Sequence, residues 1–271
     1  MRIGEALAAS GIAPREARLL LAEACGFSEA SVLAHPEREL PEAVAARFEE
    51  MAARRRAGEP IAYVLGRREF YGLPLAVGRS VLIPRPETEL LVELALDRLP
   101  ADAEARVADL GTGCGAVALA IARNRPRARV VAIEQSAAAL EFAKRNATRL
   151  GIAIELRHGR WFEPLAGERF DLAVSNPPYV ASGDPHLGEG DLRFEPRSSL
   201  VSGEDGLDAI REIVHAAPAH LEPGGWLLLE HGIGQEPAVR GLLEAAGLTR
   251  IFSAPDLAGI ARVSGGTLKS D

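Results

Sequence analysis

The chain has 271 residues, of which 47% are hydrophobic and 25% charged, with a formal net charge of −7 and two cysteines. That length exceeds one average domain and suits a two-domain enzyme, and the composition is that of an ordinary soluble globular protein. The acidic balance argues against a protein that grips duplex DNA through its phosphates; Cys25 and Cys114 suggest no disulfide framework, and no apolar run approaches the ~18 residues of a membrane span.

From the N-terminus, Met1 to Glu5 carries an acid early and lacks an apolar core, so no secretory signal is expected. Residues 1 to about 57 read as a bundle of about four short helices. Pro14 to Cys25 carries a helical stripe at Ala17, Leu20, Leu21 and Ala24, and Pro41 to Arg56 repeats it through Val44, Ala45, Phe48 and Met51. Pro14 and Pro41 suit first-turn positions, and Gly26 and Gly58 suit helix ends. Arg47, Arg54, Arg55, Arg56, Arg67 and Arg68 cluster near the end of this part. They read either as a solvated helix face or as a docking surface for an acidic partner. Residues 67 to 83 alternate around Gly72-Leu73-Pro74 and predict a hairpin.

From residue 86 onward, strands and helices alternate. Strands are expected at 106–110, 129–133, 153–157, 170–175, 225–230, 248–252 and near 260–268, and helices at 86–98, 115–124, 136–149, 205–221 and 235–246. This order implies a mostly parallel sheet covered by helices on both faces, with ligands at the carboxyl ends of its strands. Three strand ends carry chemistry. The first runs into Gly111-Thr112-Gly113-Cys114-Gly115, where glycines permit tight backbone angles and close approach of a ligand. The second closes on Glu134, about 20 residues later, where an acid can hold a ribose diol. A later strand stops at Asn176-Pro177-Pro178-Tyr179. Two prolines remove two donors and fix two φ angles, leaving a stiff turn with a side-chain amide, free carbonyls and an aromatic ring. That set suits a planar –NH2 group: Asn176 Oδ1 and the Pro177 carbonyl each accept one N–H, and Tyr179 either lies against the plane or forms a hydrophobic wall. Together the three motifs describe an S-adenosylmethionine site beside an acceptor amino group. The six histidines are scattered and no cluster has metal spacing.

With these motifs on the page, the chain resembles the protein-glutamine N5-methyltransferases that modify peptide chain release factors (the HemK/PrmC family). The likeness extends to Glu59-Pro60-Ile61-Ala62-Tyr63-Val64-Leu65-Gly66 with Glu69-Phe70-Tyr71-Gly72, to the linker Ile83-Pro84-Arg85-Pro86-Glu87-Thr88-Glu89, and to Asp184-Pro185-His186-Leu187 with Arg193-Phe194-Glu195-Pro196. It continues through Gly224-Gly225-Trp226-Leu227-Leu228-Leu229-Glu230-His231-Gly232 and Asp256-Leu257-Ala258-Gly259 with Arg262-Val263. The resemblance implies a class I S-adenosylmethionine-dependent methyltransferase fold: a Rossmann-like, mostly parallel seven-stranded sheet whose final strand is antiparallel, a small N-terminal helical bundle and a linking β-hairpin. The implied organisation is a substrate-recognition domain at 1–66, a hairpin linker at 67–85 and a catalytic domain at 86–271.

It also implies transfer of a methyl group from S-adenosylmethionine to the glutamine of the Gly-Gly-Gln motif of release factors. Gly111, Thr112, Gly113, Cys114, Gly115, Glu134, Trp161 and Asn176 would then hold the cofactor, with S-adenosylhomocysteine as product. Asn176, Pro177, Pro178 and Tyr179 would hold the substrate and carry catalysis. A cytoplasmic monomer acting on protein, with no metal, no membrane and no direct nucleic-acid substrate, is expected. Two departures stand out. Glu134 occupies a place where many relatives carry Asp, and its longer side chain can still accept two hydroxyls. Arg160 stands where many carry an acid that binds the adenine amino group, so that contact is in doubt, and Trp161 either packs on the adenine or belongs to the core. Glu195 is read as a structural ion-pair partner of a nearby arginine. The alternative activity is an amino methyltransferase acting on a nucleic-acid base of the adenine N6 type, because that acceptor is also a conjugated planar –NH2. A flipped base needs a wide slot and a basic groove; the acidic balance, the helical lobe and the linker favour glutamine. A third reading, a non-catalytic module on the same fold, predicts a damaged glycine loop, and the loop is intact.

Overall fold

The computed structural model describes residues 1–270, and these divide into two compact units. The first comprises Met1–Arg67 together with His186–Phe194, a segment contributed from far down the chain. Its helices are α1 (Ile3–Ala9), α2 (Pro14–Cys25), α3 (Glu29–Ala34), α4 (Glu42–Arg56) and α5 (Ile61–Leu65). Ile3, Leu20, Leu21, Val32, Phe48 and Val64 form its core. Pro14 opens α2 as expected, while Pro41 sits one residue before α4 and acts as its N-cap. Gly26 closes α2 at φ 70°, a left-handed angle that glycine adopts without strain. Residues 1–57 hold four helices, as expected, and α5, a single five-residue turn between Pro60 and Gly66, follows them.

The central members of the arginine cluster are paired within their own unit. Arg54 sets its fork on the buried Glu59, with two contacts of 2.9 Å, and also donates to the Tyr63 carbonyl. Arg55 pairs with Glu16 at 2.8 Å, donates to the Glu59 carbonyl and reaches Asp191 at 3.5 Å. Arg56 donates to the Ser10 carbonyl at 2.7 Å and pairs with Glu49. Arg47 and Arg67 share Glu23. These side chains bind helix to helix within their own unit, and the inserted segment is tied in by Asp191 and by Arg193, which donates to the Ala57 carbonyl at 3.2 Å.

The second unit comprises Arg68–Pro185 and Glu195–Asp271. It begins with a two-stranded hairpin, β1 (Arg67–Phe70) and β2 (Leu73–Ala76), shorter than the expected 67–83. Tyr71 at φ 50° and Gly72 at φ 72° form its loop, the paired positive angles that match a hairpin to strand twist. Beyond Ala76 the chain runs on without a regular element, burying Val77, Val81 and Ile83.

The main sheet has seven strands: β3 (Arg106–Leu110), β4 (Arg129–Glu134), β5 (Glu155–His158), β6 (Phe170–Ser175), β7 (Leu221–Glu230), β8 (Thr249–Pro255) and β9 (Ala261–Thr267). Their order is β5-β4-β3-β6-β7-β9-β8. The β5-β4-β3-β6-β7 pairings are parallel, and β9 runs antiparallel to both neighbours, as the resemblance implied. Helices α6 (Glu89–Arg98), α7 (Ala116–Asn124), α8 (Ala137–Leu150), α9 (Asp208–His220) and α10 (Glu236–Ala245) cover it. The expected 86–98 helix is split: a tight turn at 86–88 precedes α6. After β3 the chain moves outward through β4 to β5, then returns to lay β6 on the other side of β3. The direction of winding therefore reverses between β3 and β6, and a crevice opens beyond their carboxyl ends.

Candidate active site

Residues that leave those strand ends line an open cleft. Gly111, Gly113, Glu134, Trp161, Asn176 and Pro178 all face it. Thr112 and Cys114 line an adjoining hollow that shares Gly111, Gly113 and Asn176. Gly115 is the N-cap of α7 and lines neither.

The glycine loop is held from below. The N–H groups of Gly111 and Thr112 both donate to the Ile133 carbonyl at 2.9 Å. Gly111 has φ 76°, and a Cβ there would stand 3.0 Å from the Trp161 ring. Gly113 has φ 58°, and nothing lies within 4 Å of where its Cβ would be. Its bare backbone therefore faces open space that a ligand can enter. Asp109, the penultimate residue of β3, accepts from the Thr112 hydroxyl at 2.5 Å and from the Ala118 N–H at 3.1 Å. Burial pushes this carboxyl up to about 6, against those two hydrogen bonds. Asn146 of α8 donates to the Cys114 carbonyl at 2.9 Å and exchanges two hydrogen bonds with the Ala76 backbone, tying loop to hairpin. Burial pushes the Cys114 thiol up to about 12, so it carries no thiolate at neutral pH.

Glu134 is 8% exposed and closes β4. Oε2 accepts from the Gly113 N–H at 2.9 Å and Oε1 from the Ser136 N–H at 2.8 Å. The cap of α8 is Ser136, whose hydroxyl accepts from the Ala139 N–H, so Glu134 is not the capping group. Each carboxylate oxygen keeps a further lone pair for a ligand hydroxyl.

Trp161 sits in the left-handed region at φ 47°, an angle a bulky residue holds only when its surroundings enforce it. Its indole Nε1 donates to Glu212 at 3.0 Å, and Arg160 pairs with the same carboxyl at 2.7 Å. The ring is half-buried against the core and still lines the cleft, so it is both packing and wall.

The Asn176–Tyr179 turn is fastened along its back. Ser175 donates its hydroxyl to the Leu110 carbonyl at 2.6 Å, joining the ends of β6 and β3. Asn176 Nδ2 donates to Thr88 Oγ1 at 3.0 Å. Among the described residues nothing donates to Asn176 Oδ1 or to the Pro177 carbonyl. Pro177 is buried and Pro178 faces the cleft. The Tyr179 ring packs against the core and its hydroxyl donates to Glu230 Oε1 at 3.2 Å. Its carbonyl accepts from Gln235 Nε2 at 3.0 Å and crowds Gly206, where a Cβ would lie 2.3 Å away. Glu195 takes the structural role expected of it: it pairs with Arg85 and accepts the Ile83 N–H at 3.1 Å.

Sequence reading alone did not single out Thr88, Asp109, Asn146, Glu212 or Glu230. Asp109 and Glu230 carried the signal that exposed Glu134, a lone acid at or near the end of an apolar strand.

Residues 2–66 match the family described as PrmC N-terminal domain, and residues 87–188 match the methyltransferase small domain. A release factor glutamine methyltransferase of Xylella fastidiosa is 52% identical over 252 residues, 93% of this chain and 92% of that protein. One from Burkholderia pseudomallei is 51% identical over 271 residues, 97% of this chain and 95% of that protein. Among solved structures, a 16S rRNA N2 G1207 methyltransferase of T. thermophilus, in complex with AdoMet and guanosine, is 25% identical with a TM-score of 0.56, covering 75% of this chain and 50% of that one.

Proposed function

The chain belongs to the release factor glutamine methyltransferases, and from that membership we propose how its cleft does the work. The enzyme transfers a methyl group from S-adenosylmethionine to the side-chain nitrogen of the glutamine in the Gly-Gly-Gln motif of peptide chain release factors. Gly111 and Gly113 give the cofactor close access to the main chain, and Glu134 accepts from its ribose hydroxyls. Trp161 walls the adenine side. Arg160 is drawn to Glu212, so it does not replace the acid many relatives use there. The fit is supported by the open space over Gly113 and by the unused lone pairs of Glu134.

The observation that carries the reading is the state of Asn176. One Nδ2–H is committed to Thr88 while Oδ1 accepts from no described residue, so the amide keeps an open acceptor. A glutamine –NH2 needs two acceptors. Asn176 Oδ1 and the Pro177 carbonyl supply them from one rigid turn. The glutamine nitrogen is a poor nucleophile because its lone pair is delocalised into the carbonyl, as in a peptide bond. When bound, S-adenosylmethionine supplies an electrophilic methyl on a good leaving group. The two acceptors draw the N–H bonds out of the amide plane and strengthen as positive charge grows on nitrogen, which favours the transition state over the ground state. Fixing the nitrogen in line contributes several kcal/mol more. The alkylated nitrogen is strongly acidic, so no strong base is needed.

The helical domain, residues 1–66, supplies recognition of the folded release factor, with the 67–85 linker leading to the catalytic domain at 86–271. On this reading the enzyme works as a cytoplasmic monomer; both cysteines are free, as a reducing compartment keeps them. Intact mass of an unmethylated release factor, followed by peptide mapping, tests the proposal: one methyl should appear, on the Gly-Gly-Gln glutamine. Methylation of an oligonucleotide in its place would promote the base-modifying alternative. A kcat/KM no better on the intact factor than on a short Gly-Gly-Gln peptide would remove the recognition role.

A further inference from the structure

β3 and β6 run side by side and then part, and the cleft opens where they do. Their pairing runs from Val107 opposite Leu172 to Asp109 opposite Val174 and stops there. Each strand keeps its outer neighbour for one residue more: Leu110 stays paired with Ile133 of β4, and Ser175 with Leu229 of β7. At the point of divergence a side chain takes over from the backbone ladder. Ser175, fully buried, donates its hydroxyl to the Leu110 carbonyl at 2.6 Å. Leu110 immediately precedes Gly111, and Ser175 immediately precedes Asn176. This bond therefore joins the root of the glycine loop to the root of the acceptor turn.

Each half also has supports of its own. The loop hangs from the Ile133 carbonyl through the Gly111 and Thr112 N–H groups, from Asp109 through the Thr112 hydroxyl, and from Asn146 through the Cys114 carbonyl. The turn is held by Thr88 at Asn176 and by Gln235 at the Tyr179 carbonyl. None of these bonds ties one half to the other. We propose that Ser175 is a positioning residue that couples the two halves, setting the acceptor nitrogen in line with the methyl donor. This rests on the reading of loop and turn as the cofactor and glutamine sites. Ser175 itself lines neither hollow of the cleft, so it acts through Leu110 and Asn176. Serine suits the place: its short side chain reaches the carbonyl from a strand already turning away, and Pro177 and Pro178 beyond it bring no N–H. Alignment is where such a bond matters most, because a misplacement of about 1 Å between reacting groups costs on the order of 10²-fold in rate.

Removing the hydroxyl also leaves a buried carbonyl without that donor, which lowers stability, and two substitutions separate the effects. Both are assayed with unmethylated release factor, well below their melting temperatures. Ser175→Ala deletes the bond. At saturating cofactor and release factor its kcat should fall about 10-fold or more, with cofactor Kd and release-factor KM each within about 3-fold, because both half-sites keep their own supports. Ser175→Thr returns the hydroxyl but adds a methyl to a fully buried site. Its kcat should recover to within about 3-fold of wild type while its melting temperature stays low. Leu243→Ala, in the core beneath α10, lowers stability without touching loop or turn and should keep the wild-type kcat. Wild-type kcat in Ser175→Ala overturns the proposal. So does a rate that simply follows melting temperature across these variants, or a loss confined to cofactor Kd. Should Ser175→Thr not fold, the comparison of Ser175→Ala with Leu243→Ala decides alone. Asn176→Ala, assayed alongside, keeps the two levels apart. If it retains its rate, the clamp reading beneath the proposal has failed; if it is slow while Ser175→Ala is not, the coupling alone has failed.

Discussion

The helical unit and the strand-end cleft both carry many polar groups and use them in opposite ways. In the helical unit, Arg54, Arg55, Arg56 and Arg67 each find a carboxylate, and Arg54, Arg55 and Arg56 also find backbone carbonyls. The cleft also pairs its outward-facing supports, but it stops one bond short. Asn176 commits its nitrogen and keeps its oxygen, and Glu134 accepts twice from backbone and keeps further lone pairs. A satisfied polar group holds a fold together, whereas an acceptor left open on a rigid support is a binding instruction. Side chains of the first kind should cost stability when removed, and those of the second kind should cost turnover or affinity.

The largest contrast is expected at Asn176. Asn176→Ala removes one of two acceptors that strengthen in the transition state, so kcat should fall about 10²- to 10³-fold, as when one oxyanion donor is lost. Cofactor affinity should change far less, and the melting temperature should hardly move. A variant with near wild-type turnover would break the comparison at its centre. Glu134→Ala should instead appear in calorimetry as a cofactor Kd weakened about 10-fold or more, since two hydroxyls lose a charged acceptor. An unchanged Kd there would reduce Glu134 to a brace for the Gly113 and Ser136 backbone.

Glu230 sharpens the comparison because it stands between the two classes. Burial is the leading cause that lifts its carboxyl from 4.5 to about 7, aided by Glu87 and opposed by the Thr88 and Tyr179 hydroxyls and by Arg262. The folded protein thus holds this proton more tightly than the unfolded chain. Its contribution to stability is fully present below about pH 4.5 and is lost as pH rises through about 7. At ~1.4 kcal/mol for each pKa unit, the swing is on the order of 3 kcal/mol. Denaturant unfolding at several pH values should show the loss in the wild type and a flatter profile in Glu230→Gln. Asp109, raised from 3.8 to about 6, adds a similar decline at lower pH that both proteins share. Parallel profiles for the two proteins would mean that Glu230 is not the buried acid it appears in the fold.

Much of this was legible in the chain because local signals and global layout agree. Gly111, Glu134 and Asn176 each follow or end a strand, and a parallel sheet brings strand ends to one edge whatever the connections between them. The turn at Asn176 was readable because two prolines leave the backbone few options. The roles of Thr88 and Glu230 were not readable, although both fall inside quoted motifs. Their contacts with Asn176 and Tyr179 span 88 and 51 positions and form only once the chain has folded. The pairings of the arginine cluster were not readable either: Glu16 and Asp191 become partners of Arg55 only once α2 and the inserted segment pack on α4, so periodicity sees charge and not pairing. Trp161 could be named but not described, because no sequence pattern announces a tryptophan at φ 47°.

The smallest expected effects lie in the helical unit and test its half of the comparison. Arg54→Met keeps the apolar stem and deletes a two-pronged hydrogen bond to a carboxylate that is 4% exposed. Charge-assisted bonds of this kind contribute about 1.5–3 kcal/mol, so the melting temperature should fall by several degrees while kcat at saturating substrate holds. Asp191→Asn is weaker still. Its contact with Arg55 is 3.5 Å long, and its side chain is 48% exposed. Exposed pairs contribute at most about 1 kcal/mol and are screened within about 10 Å at 0.1 M salt. The variant should therefore lose a fraction of a degree to a few degrees at low salt and match the wild type at high salt. Arg55 keeps Glu16 and the Glu59 carbonyl in either case, which is why the loss stays small. A large fall in turnover from Asp191→Asn, with stability intact, would show that the inserted 186–194 segment belongs with the open acceptors and not with the paired ones.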